Sequence, residues 1–472
     1  MHRTHSLLIE DSKPSAALLP QQVHPSYRKT DAELTPSRRG FLLSAAALGA
    51  GLFVPFRTYA ADAQAAPAVA SAPPQRVMLS ISEDPAHCVS VVWRAQGQIE
   101  KPQVQIAPLT AAPLTDKDAI AFPASPQAPL TTATGELVYS YAHSIKGLNP
   151  ATQYCYRVGD GTSWSEWNVF RTAEASAAPF KFLYLGDVQN DIRSMCTRAM
   201  RKAYQHAPDA ALALFAGDLV TDGWDDNLWS EFAYATSVLS QTMPCLPTPG
   251  NHDTKTKTPM TYPYGAHPAY HAHFKLPENG PENTPGLKQE AYFVDYQGVR
   301  FISLNTNAFE DDAPQEVQKA QLRWFEKLLA ENPNRWTIVT HHHPIYSVSE
   351  GRDNEYLRGL LRPLYDKYRV DLVLQGHDHA YGRTHKVAGD KIVGASDPGT
   401  VYVVSVSGPK QYEVGPKFGD LMAKTAGHMQ LYQVVEVSSD RLAMDTFGID
   451  GQRLDGFQLT KDASGMSTYS TT

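Results

Sequence analysis

Two patterns of hydrophobic positions divide the chain. From residue 76 to residue 172, apolar and polar residues alternate in short runs with turn residues between them, a period of two that is typical of β-strands. From residue 180 onward, apolar runs of strand length alternate with stretches whose apolar residues are spaced three and four apart. The first pattern predicts an all-β sandwich, and the second predicts an α/β domain built from βαβ units. Examples are Val89, Val91 and Trp93 for the first pattern and Val317, Ala320 and Trp324 for the second.

The predicted domain boundaries follow these patterns. We predict a signal region over residues 1–63, an Ala- and Pro-rich linker over 64–75, the all-β domain over 76–172 and the α/β domain over 180–460. The all-β domain carries no catalytic pattern, so we interpret it as a packing and positioning module.

Composition excludes several classes of protein. The 472 residues include 42 Lys and Arg against 49 Asp and Glu, which gives a formal net charge of −7, and 42% of them are hydrophobic. This is the composition of a globular protein with a sizeable core. Basic residues are scattered, so we expect no nucleic-acid partner. The four cysteines lie too far apart in sequence for a zinc motif, and any metal must use other ligands.

The signal region resembles a twin-arginine export signal. Arg38 and Arg39 precede Phe41, an apolar stretch runs to Phe56, and an Ala-rich cleavage zone follows. The apolar run of about seventeen residues is broken by glycines and a proline, whereas a membrane-spanning helix needs about twenty. We therefore expect export by the twin-arginine machinery to the periplasm or the exterior, and no stable membrane anchor.

Residues 148–154, Leu-Asn-Pro-Ala-Thr-Gln-Tyr, resemble the tyrosine corner of a fibronectin type III sandwich, with Trp93 as a buried anchor. Cys88 and Cys155 alternate with the inward residues of their strands. We therefore expect both thiols to point outward and to form no disulfide. A disulfide between Cys196 and Cys245 stays open.

Metal-ligand side chains follow five apolar runs or tight turns in the second domain. Open α/β sheets bind ligands at the carboxyl ends of their strands, where such residues would meet. Imidazole and carboxylate suit cations of intermediate hardness, and a carboxylate can bridge two of them. We expect the glycine before a ligand to let the backbone turn sharply. The segments are Gly186-Asp187, Gly217-Asp218, Gly250-Asn251-His252-Asp253, His341-His342-His343 and Gly376-His377-Asp378-His379.

These segments resemble the five blocks of the calcineurin-like metallophosphoesterases. Their flanks, His343-Pro344-Ile345-Tyr346 and Ala380-Tyr381-Gly382-Arg383, are similar to the purple acid phosphatase family. The resemblance implies an α/β metallophosphoesterase sandwich with two metal ions, which are iron, zinc or manganese. It assigns Asp187 and His379 to the first metal, Asn251, His342 and His377 to the second, and Asp218 as the bridge. It also implies that His252 contacts the substrate phosphate or protonates the leaving oxygen. We expect Asn251 to contact the substrate as well, and His343 either faces the substrate or makes a structural hydrogen bond.

Two positions depart from the family pattern. Purple acid phosphatases carry a tyrosine where this chain has Thr221. A threonine cannot supply the coloured iron(III)–tyrosinate bond, so we expect no purple colour. The wider superfamily often has Asp-x-His in its first block, where this chain has Gln189. Gln189 either binds the first metal through its amide oxygen or makes a hydrogen bond to a ligand or water.

The remaining polar residues near these motifs have weaker assignments. We expect His341 to be buried under the sheet and Asp378 to lie behind the ligands. Asp253 either orients His252 or diverges from it. Residues 254–286 predict a long loop at the mouth of the site, in which three histidines are bonded within the loop or rim the pocket. They are His267, His271 and His273.

The sequence therefore predicts an exported enzyme with two metal ions that hydrolyses small phosphate monoesters, through attack by a metal-bridging hydroxide with His252 as general acid. A phosphodiesterase that uses the same centre is the alternative. A binding protein without catalytic activity is the least favoured hypothesis, because the metal-ligand positions are retained.

Overall fold

The computed structural model describes residues 72–472 except positions 116, 133, 258, 311 and 312. The export signal predicted over residues 1–63 lies outside this part of the chain. No helix within the described residues has the length and apolar character needed to cross a bilayer.

Nine short strands form a β-sandwich at the start of the described chain. One layer has the strand order β1-β2-β7-β5, with β6 also paired to β7, and the other has the order β4-β3-β8-β9. The strands are β1 Gln75–Ser80, β2 Cys88–Ala95, β3 Gln103–Pro108, β4 Ile120–Pro123, β5 Ser125–Pro126, β6 Leu130–Thr131, β7 Leu137–Lys146, β8 Gln153–Gly159 and β9 Asn168–Arg171.

The sandwich core forms as its alternating pattern predicts. Trp93 is fully buried and packs against Tyr141 with ring centroids 5.9 Å apart. The hydroxyl of Tyr154 accepts a hydrogen bond from the backbone N–H of Asn149 at 2.9 Å, which is the bond a tyrosine corner requires. All four cysteines are free thiols. Cys155 is nevertheless buried, in strand β8 between its neighbours β3 and β9.

The α/β domain contains two facing sheets with helices on their outer sides. Phe182 of one sheet and Phe301 of the other meet at a centroid distance of 5.3 Å, so the principal core lies between the sheets. The helices are α1 Thr197–His206, α2 Asp226–Ser240, α3 Pro268–His271, α4 Gln315–Ala330 and α5 Glu355–Tyr368. Helices α1 and α2 pack on the first sheet, and α4 and α5 pack on the second.

The strands of this domain continue to the end of the chain. The first sheet contains β10 Phe180–Leu185, β11 Leu212–Phe215, β12 Cys245–Pro247, β22 Leu431–Val437, β23 Arg441–Gly448, β24 Arg453–Lys461 and β25 Ser467–Thr471. The second contains β13 Tyr292–Tyr296, β14 Val299–Ser303, β15 Trp336–Thr340, β16 Leu372–Gln375, β17 Tyr381–Thr384, β20 Val401–Val404 and β21 Met422–Ala426. A separate hairpin is formed by β18 Val387–Ala388 and β19 Lys391–Ile392.

The two domains share one sheet. Strand β1 of the sandwich pairs in parallel with β12 at Ser80 and Cys245, so the first sheet runs through both domains as a single 12-stranded sheet. Asp226, the first residue of α2, binds Arg76 and Arg94 of the sandwich at 2.8 and 2.5 Å. The sandwich is therefore fixed to the α/β domain by main-chain pairing and by partly buried ion pairs.

The parallel strands direct their carboxyl ends to common edges. Strands β10, β11 and β12 run parallel in the first sheet, and β14, β15, β16 and β20 run parallel in the second. The loops that follow these strands therefore meet where the two sheets face each other, which is the arrangement that brings distant motifs together.

Candidate metal centre

The sequence motifs converge at these strand ends. Asp187 follows β10, Asp218 follows β11 and His342 follows β15, and all three side chains are buried. Two groups of ligand atoms result, each with its atoms within 4.8 Å of one another. Asp218 belongs to both groups, as a bridging carboxylate must. The groups are Asp218, His342 and His377, and Asp187, Asp218 and His379.

One group includes an amide oxygen. Oδ1 of Asn251 lies 3.2 Å from Nε2 of His342 and 3.0 Å from Nδ1 of His377. The other ring nitrogen of His342, Nδ1, donates to the carbonyl of Ala216 at 2.9 Å. That bond keeps the proton on Nδ1 and directs Nε2 of His342 into the group, where it can bind a metal once its own proton is released. This geometry suits the predicted second metal.

The other group has a different support. Nδ1 of His379 donates to the carbonyl of Lys410 at 3.1 Å, which leaves Nε2 of His379 facing Oδ1 of Asp187 at 3.7 Å. The Asp187 carboxylate accepts the backbone N–H of His377 at 2.8 Å. The loops after β10 and β16 are therefore joined through a candidate ligand.

Gln189 lies inside the group formed by Asp187, Asp218 and His379. Its amide Nε2 is 2.8 Å from Oδ2 of Asp218 and 3.0 Å from Nε2 of His379, and its Oε1 is buried without a hydrogen-bond partner. Exchanging the oxygen and nitrogen of the Gln189 amide places Oε1 among the ligand atoms. A cation bound there would then supply Oε1 with a partner. The donor set therefore fits a metal ion. This position agrees with both predicted roles of Gln189, as a metal ligand or as a hydrogen-bond partner of a ligand or water.

The backbone is bent at the ligands themselves. Asp187, Asp218, His377 and His379 all have positive φ, between 47° and 75°. Our expectation that the preceding glycines supply the sharp turn holds for Gly217, whose φ is +88°. Elsewhere the glycine provides space, because a Cβ at Gly376 would lie 2.5 Å from Oδ2 of Asp187. Left-handed residues of this kind cost free energy and concentrate at functional sites.

Burial and charge set the protonation of the site. Burial raises the pKa of Asp187 well above its ordinary value, and the nearby Asp218 carboxylate raises it further against the opposing effect of His342. Burial lowers the pKa of His377, and burial followed by the charge of Lys410 lowers the pKa of His379 to about 3. Neutral imidazoles are the form that binds metals, and bound cations would relieve the repulsion between the two carboxylates.

His252 faces the same centre from its edge. Its backbone N–H donates to Oδ1 of Asp218 at 2.8 Å, and its ring Nε2 lies 4.0 Å from Oδ2 of that residue. Nδ1 of His252 is 2.6 Å from the carbonyl of Thr221 and 2.6 Å from Nζ of Lys255. The carbonyl requires a protonated Nδ1 and the ammonium requires an unprotonated one, so the two compete for this nitrogen.

Asp253 diverges from His252. Its carboxylate accepts backbone N–H groups from Leu219 at 3.0 Å and from Gly250 at 2.8 Å. It therefore joins the loops that carry Asp218 and Asn251, and it does not orient the imidazole of His252.

His343 and His341 have separate surroundings. Nδ1 of His343 is 2.9 Å from the hydroxyl of Thr306, and its ring packs on that of His377 with centroids 4.6 Å apart. The predicted substrate contact of His343 stays a prediction. His341 is fully buried, with Nδ1 donating to the carbonyl of His343 and Nε2 2.9 Å from the hydroxyl of Tyr365, as expected. Asp378 is fully buried and accepts backbone N–H groups of the loop after β15, so it supports that loop.

The loop histidines are bonded locally. His271 contacts Glu290 at 3.0 Å, His273 donates to the carbonyl of Ala269 at 2.7 Å, and His267 accepts the N–H of Ala269 at the start of α3. The described part of residues 254–286 contains only α3 and one short 3₁₀ turn, which agrees with the predicted long loop.

Sequence reasoning missed one segment of the site. After β20, the backbone N–H of Ser407 donates to the carbonyl of Gly186 and that of Gly408 to the carbonyl of Asp187, at 2.7 and 3.0 Å. The same segment brings Lys410 and Tyr412 to His379. The apolar run of β20 followed by glycine is the same signal that identified the other loops, but it carries no metal-ligand residue.

Comparisons with known proteins agree with this geometry. Residues 180–381 match the family model described as calcineurin-like phosphoesterase, and residues 74–172 match that of the purple acid phosphatase N-terminal domain. The chain is 29% identical over 287 residues to an uncharacterised protein of Mycobacterium tuberculosis, a match that covers 54% of this chain and 52% of the relative. It is 28% identical over 283 residues to probable purple acid phosphatase 20 of Arabidopsis thaliana, a match that covers 58% of this chain and 62% of the relative.

The matched regions thus span about half to three-fifths of these relatives. Among solved structures, purple acid phosphatase PPD1 from yellow lupin superposes with a TM-score of 0.69 at 19% identity, over 83% of this chain and 75% of the lupin chain. This similarity establishes the shared fold.

Proposed function

We propose that this chain hydrolyses phosphate esters with two metal ions bound at the centre described above, as its matches to the calcineurin-like phosphoesterase and purple acid phosphatase N-terminal domain models support. The observation that carries this proposal is the position of Asp218, whose carboxylate belongs to both groups of candidate ligands. A shared carboxylate is what a pair of cations about 3.5–4 Å apart requires.

The residues divide into those that hold metal and those that handle the ester. Asp187, Gln189 and His379 would hold one cation, Asn251, His342 and His377 the other, and Asp218 both. Bound there, the cations would supply Lewis acidity toward the phosphoryl oxygens and lower the pKa of a bound water. The charge that develops on phosphorus would then be balanced inside a largely buried site, where electrostatic interactions are strong.

His252 would serve the leaving group. Its backbone bond to Asp218 places the ring beside the centre, with Nε2 directed toward the Asp218 carboxylate. When the Thr221 carbonyl prevails over Lys255 in the competition for Nδ1, that nitrogen carries a proton and Nε2 would face the ester. A protonated Nε2 can donate to the departing alcohol oxygen, which is the role of a general acid. His343, which packs on His377, and Asn251 would contact the phosphoryl group.

We propose monoesters as the preferred substrates, with diesters as the alternative. The test is a paired assay of p-nitrophenyl phosphate and bis(p-nitrophenyl) phosphate on purified protein, together with its metal content. About two metal ions per chain and faster monoester turnover support the proposal. Faster diester turnover favours the alternative. Failure to cleave either ester after loading with manganese, zinc or iron contradicts the proposed function.

We also propose export through the twin-arginine pathway, which rests on the residues around Arg38 and Arg39. Residues 1–63 fused to a fluorescent protein should carry it to the periplasm of a bacterium with this pathway. Replacing both arginines by lysine should retain the fusion in the cytoplasm. Equal distribution of the two fusions contradicts the proposal.

A further inference from the structure

Two cationic side chains, Lys410 and Arg352, contact the ring of Tyr412, and that ring contacts the candidate metal ligand His379. The ring of Tyr412 packs edge-on against that of His379, with centroids 4.8 Å apart. Nζ of Lys410 is 5.2 Å from the centre of the Tyr412 ring, and the guanidinium carbon of Arg352 is 4.8 Å from it. Tyr412 therefore positions both cations beside the His379 edge of the centre.

The backbone that presents Lys410 is held in place. The carbonyl of Lys410 accepts from Nδ1 of His379, and the N–H of Tyr412 donates to the carbonyl of His379 at 3.0 Å. Between them, the amide of Gln411 bonds the backbone of Gly408 and Met429. The Lys410 side chain thus extends from a rigid loop, and the residue is partly exposed.

The two cations differ in how far their charge is balanced. Arg352 donates to the carbonyl of His377 at 2.8 Å and lies 3.6 Å from the Asp378 carboxylate, which offsets part of its charge. Across residues 72–472, apart from the five positions left undescribed, no carboxylate lies within ion-pair distance of Lys410. The nearby Glu413 pairs with His428 instead. Lys410 is therefore the cation available to a ligand.

We propose that Lys410, with Arg352 beside it, binds a second anionic group of the substrate. The inference rests on the proposed function and narrows it to phosphate esters whose alcohol part carries a further phosphate or carboxylate. The charge of the whole chain is −7, which opposes the approach of such an ester. Local cations beside a binding site attract an anion even where the net charge of the protein repels it.

The test compares three esters that differ in one substituent: phenyl phosphate, 4-carboxyphenyl phosphate and 1,4-phenylene bisphosphate. Lys410→Met keeps the backbone carbonyl that supports His379 and removes only the ammonium. It should lower kcat/KM for at least one of the two esters that carry a second anionic group by roughly fivefold relative to kcat/KM for phenyl phosphate, the effect of one partly exposed charge pair. A loss with only one of them assigns the second group as carboxylate or as phosphate.

Two controls accompany this variant. Lys367→Met removes an equal charge from the surface, where Lys367 is 60% exposed and pairs with Glu326, and should change none of the three rates. Lys410→Arg should retain most of the preference for esters with a second anionic group over phenyl phosphate. Added salt should weaken the preference of the wild-type protein more than that of Lys410→Met, in which Arg352 remains.

The outcomes separate the two proposals. Equal losses with all three esters, or no loss with any of them, overturn the role of Lys410 while hydrolysis of phenyl phosphate still supports the proposed function. Absence of hydrolysis of all three esters by the metal-loaded wild-type protein overturns both.

Discussion

Oδ2 of Asp218 lies 3.3 Å from Nε2 of His342, and both side chains are buried. Burial alone would raise the pKa of Asp218, but the charge and hydrogen bond of His342 outweigh it and lower that pKa below its ordinary value. In return, Asp218 opposes the effect of burial on His342 and raises its pKa to about 9. Negative charge is thus held at the position that both candidate metals share.

Asp218→Ala should abolish ester hydrolysis and reduce bound metal. Loss of a bridging ligand removes a contact from both cations. We therefore expect a decrease in kcat/KM larger than the roughly 10- to 100-fold typical of mutating a residue that hydrogen-bonds to a metal ligand. Metal content and initial rates measure the effect. Asp209→Ala, which changes an exposed acid paired with Lys181, serves as the control. Hydrolysis that persists in Asp218→Ala contradicts the mechanism.

Gln189→His should slow the loss of one metal ion to a chelator. Imidazole is a stronger ligand than an amide oxygen for cations of intermediate hardness, and residue 189 lies among the ligand atoms of Asp218 and His379. The measurement is metal retained per chain during dialysis against EDTA, for the wild-type protein and the variant. Identical time courses mean that Gln189 makes only a hydrogen bond and does not bind the metal.

Iron-loaded protein should lack the purple colour of a tyrosinate ligand. Oγ1 of Thr221 accepts the backbone N–H of Asn190 at 3.2 Å, and a threonine side chain has no phenol to bind iron(III). The visible absorption spectrum of the iron-loaded protein measures this. A strong band would contradict the prediction and implicate another tyrosine, in which case Tyr412→Phe identifies whether Tyr412, which packs on His379, is its source.

Asp226→Asn should destabilise the protein at neutral pH and much less in acid. Burial opposes ionisation of Asp226, but its hydrogen bonds and charge interactions with Arg76 and Arg94 lower its pKa from 3.8 to about 2. A lowered folded-state pKa stabilises above the unfolded pKa, and this stabilisation is lost as pH falls from about 4 through 2. We expect a loss on the order of 2 kcal/mol at pH 7.

Urea unfolding at pH 7 and pH 3 measures this dependence. The difference between wild type and Asp226→Asn should shrink at the lower pH. Asp209→Asn, at an exposed position, should have little effect at either pH. A difference that is constant with pH would show that Asp226 acts by packing and not by charge.

Local patterns determined much of the fold and of the site. The apolar runs that precede Gly186 and His341 form β10 and β15, because an apolar run that ends in a turn needs no distant partner to be recognised. The tyrosine corner forms for the same reason, since Tyr154 bonds a backbone group only five residues away. The ligand-type residues were also identified in the sequence, because each follows such a strand.

Tertiary structure decided what depends on residues that are far apart in the chain. The pairing of Ser80 with Cys245, which merges two domains into one sheet, leaves no periodic signal in the sequence. The burial of Cys155 likewise depends on neighbouring strands, and the place of Lys410 beside His379 depends on a loop that carries no ligand. Local period and turn chemistry act over a few residues, whereas sheet order, burial and charge pairing arise only when distant segments pack together.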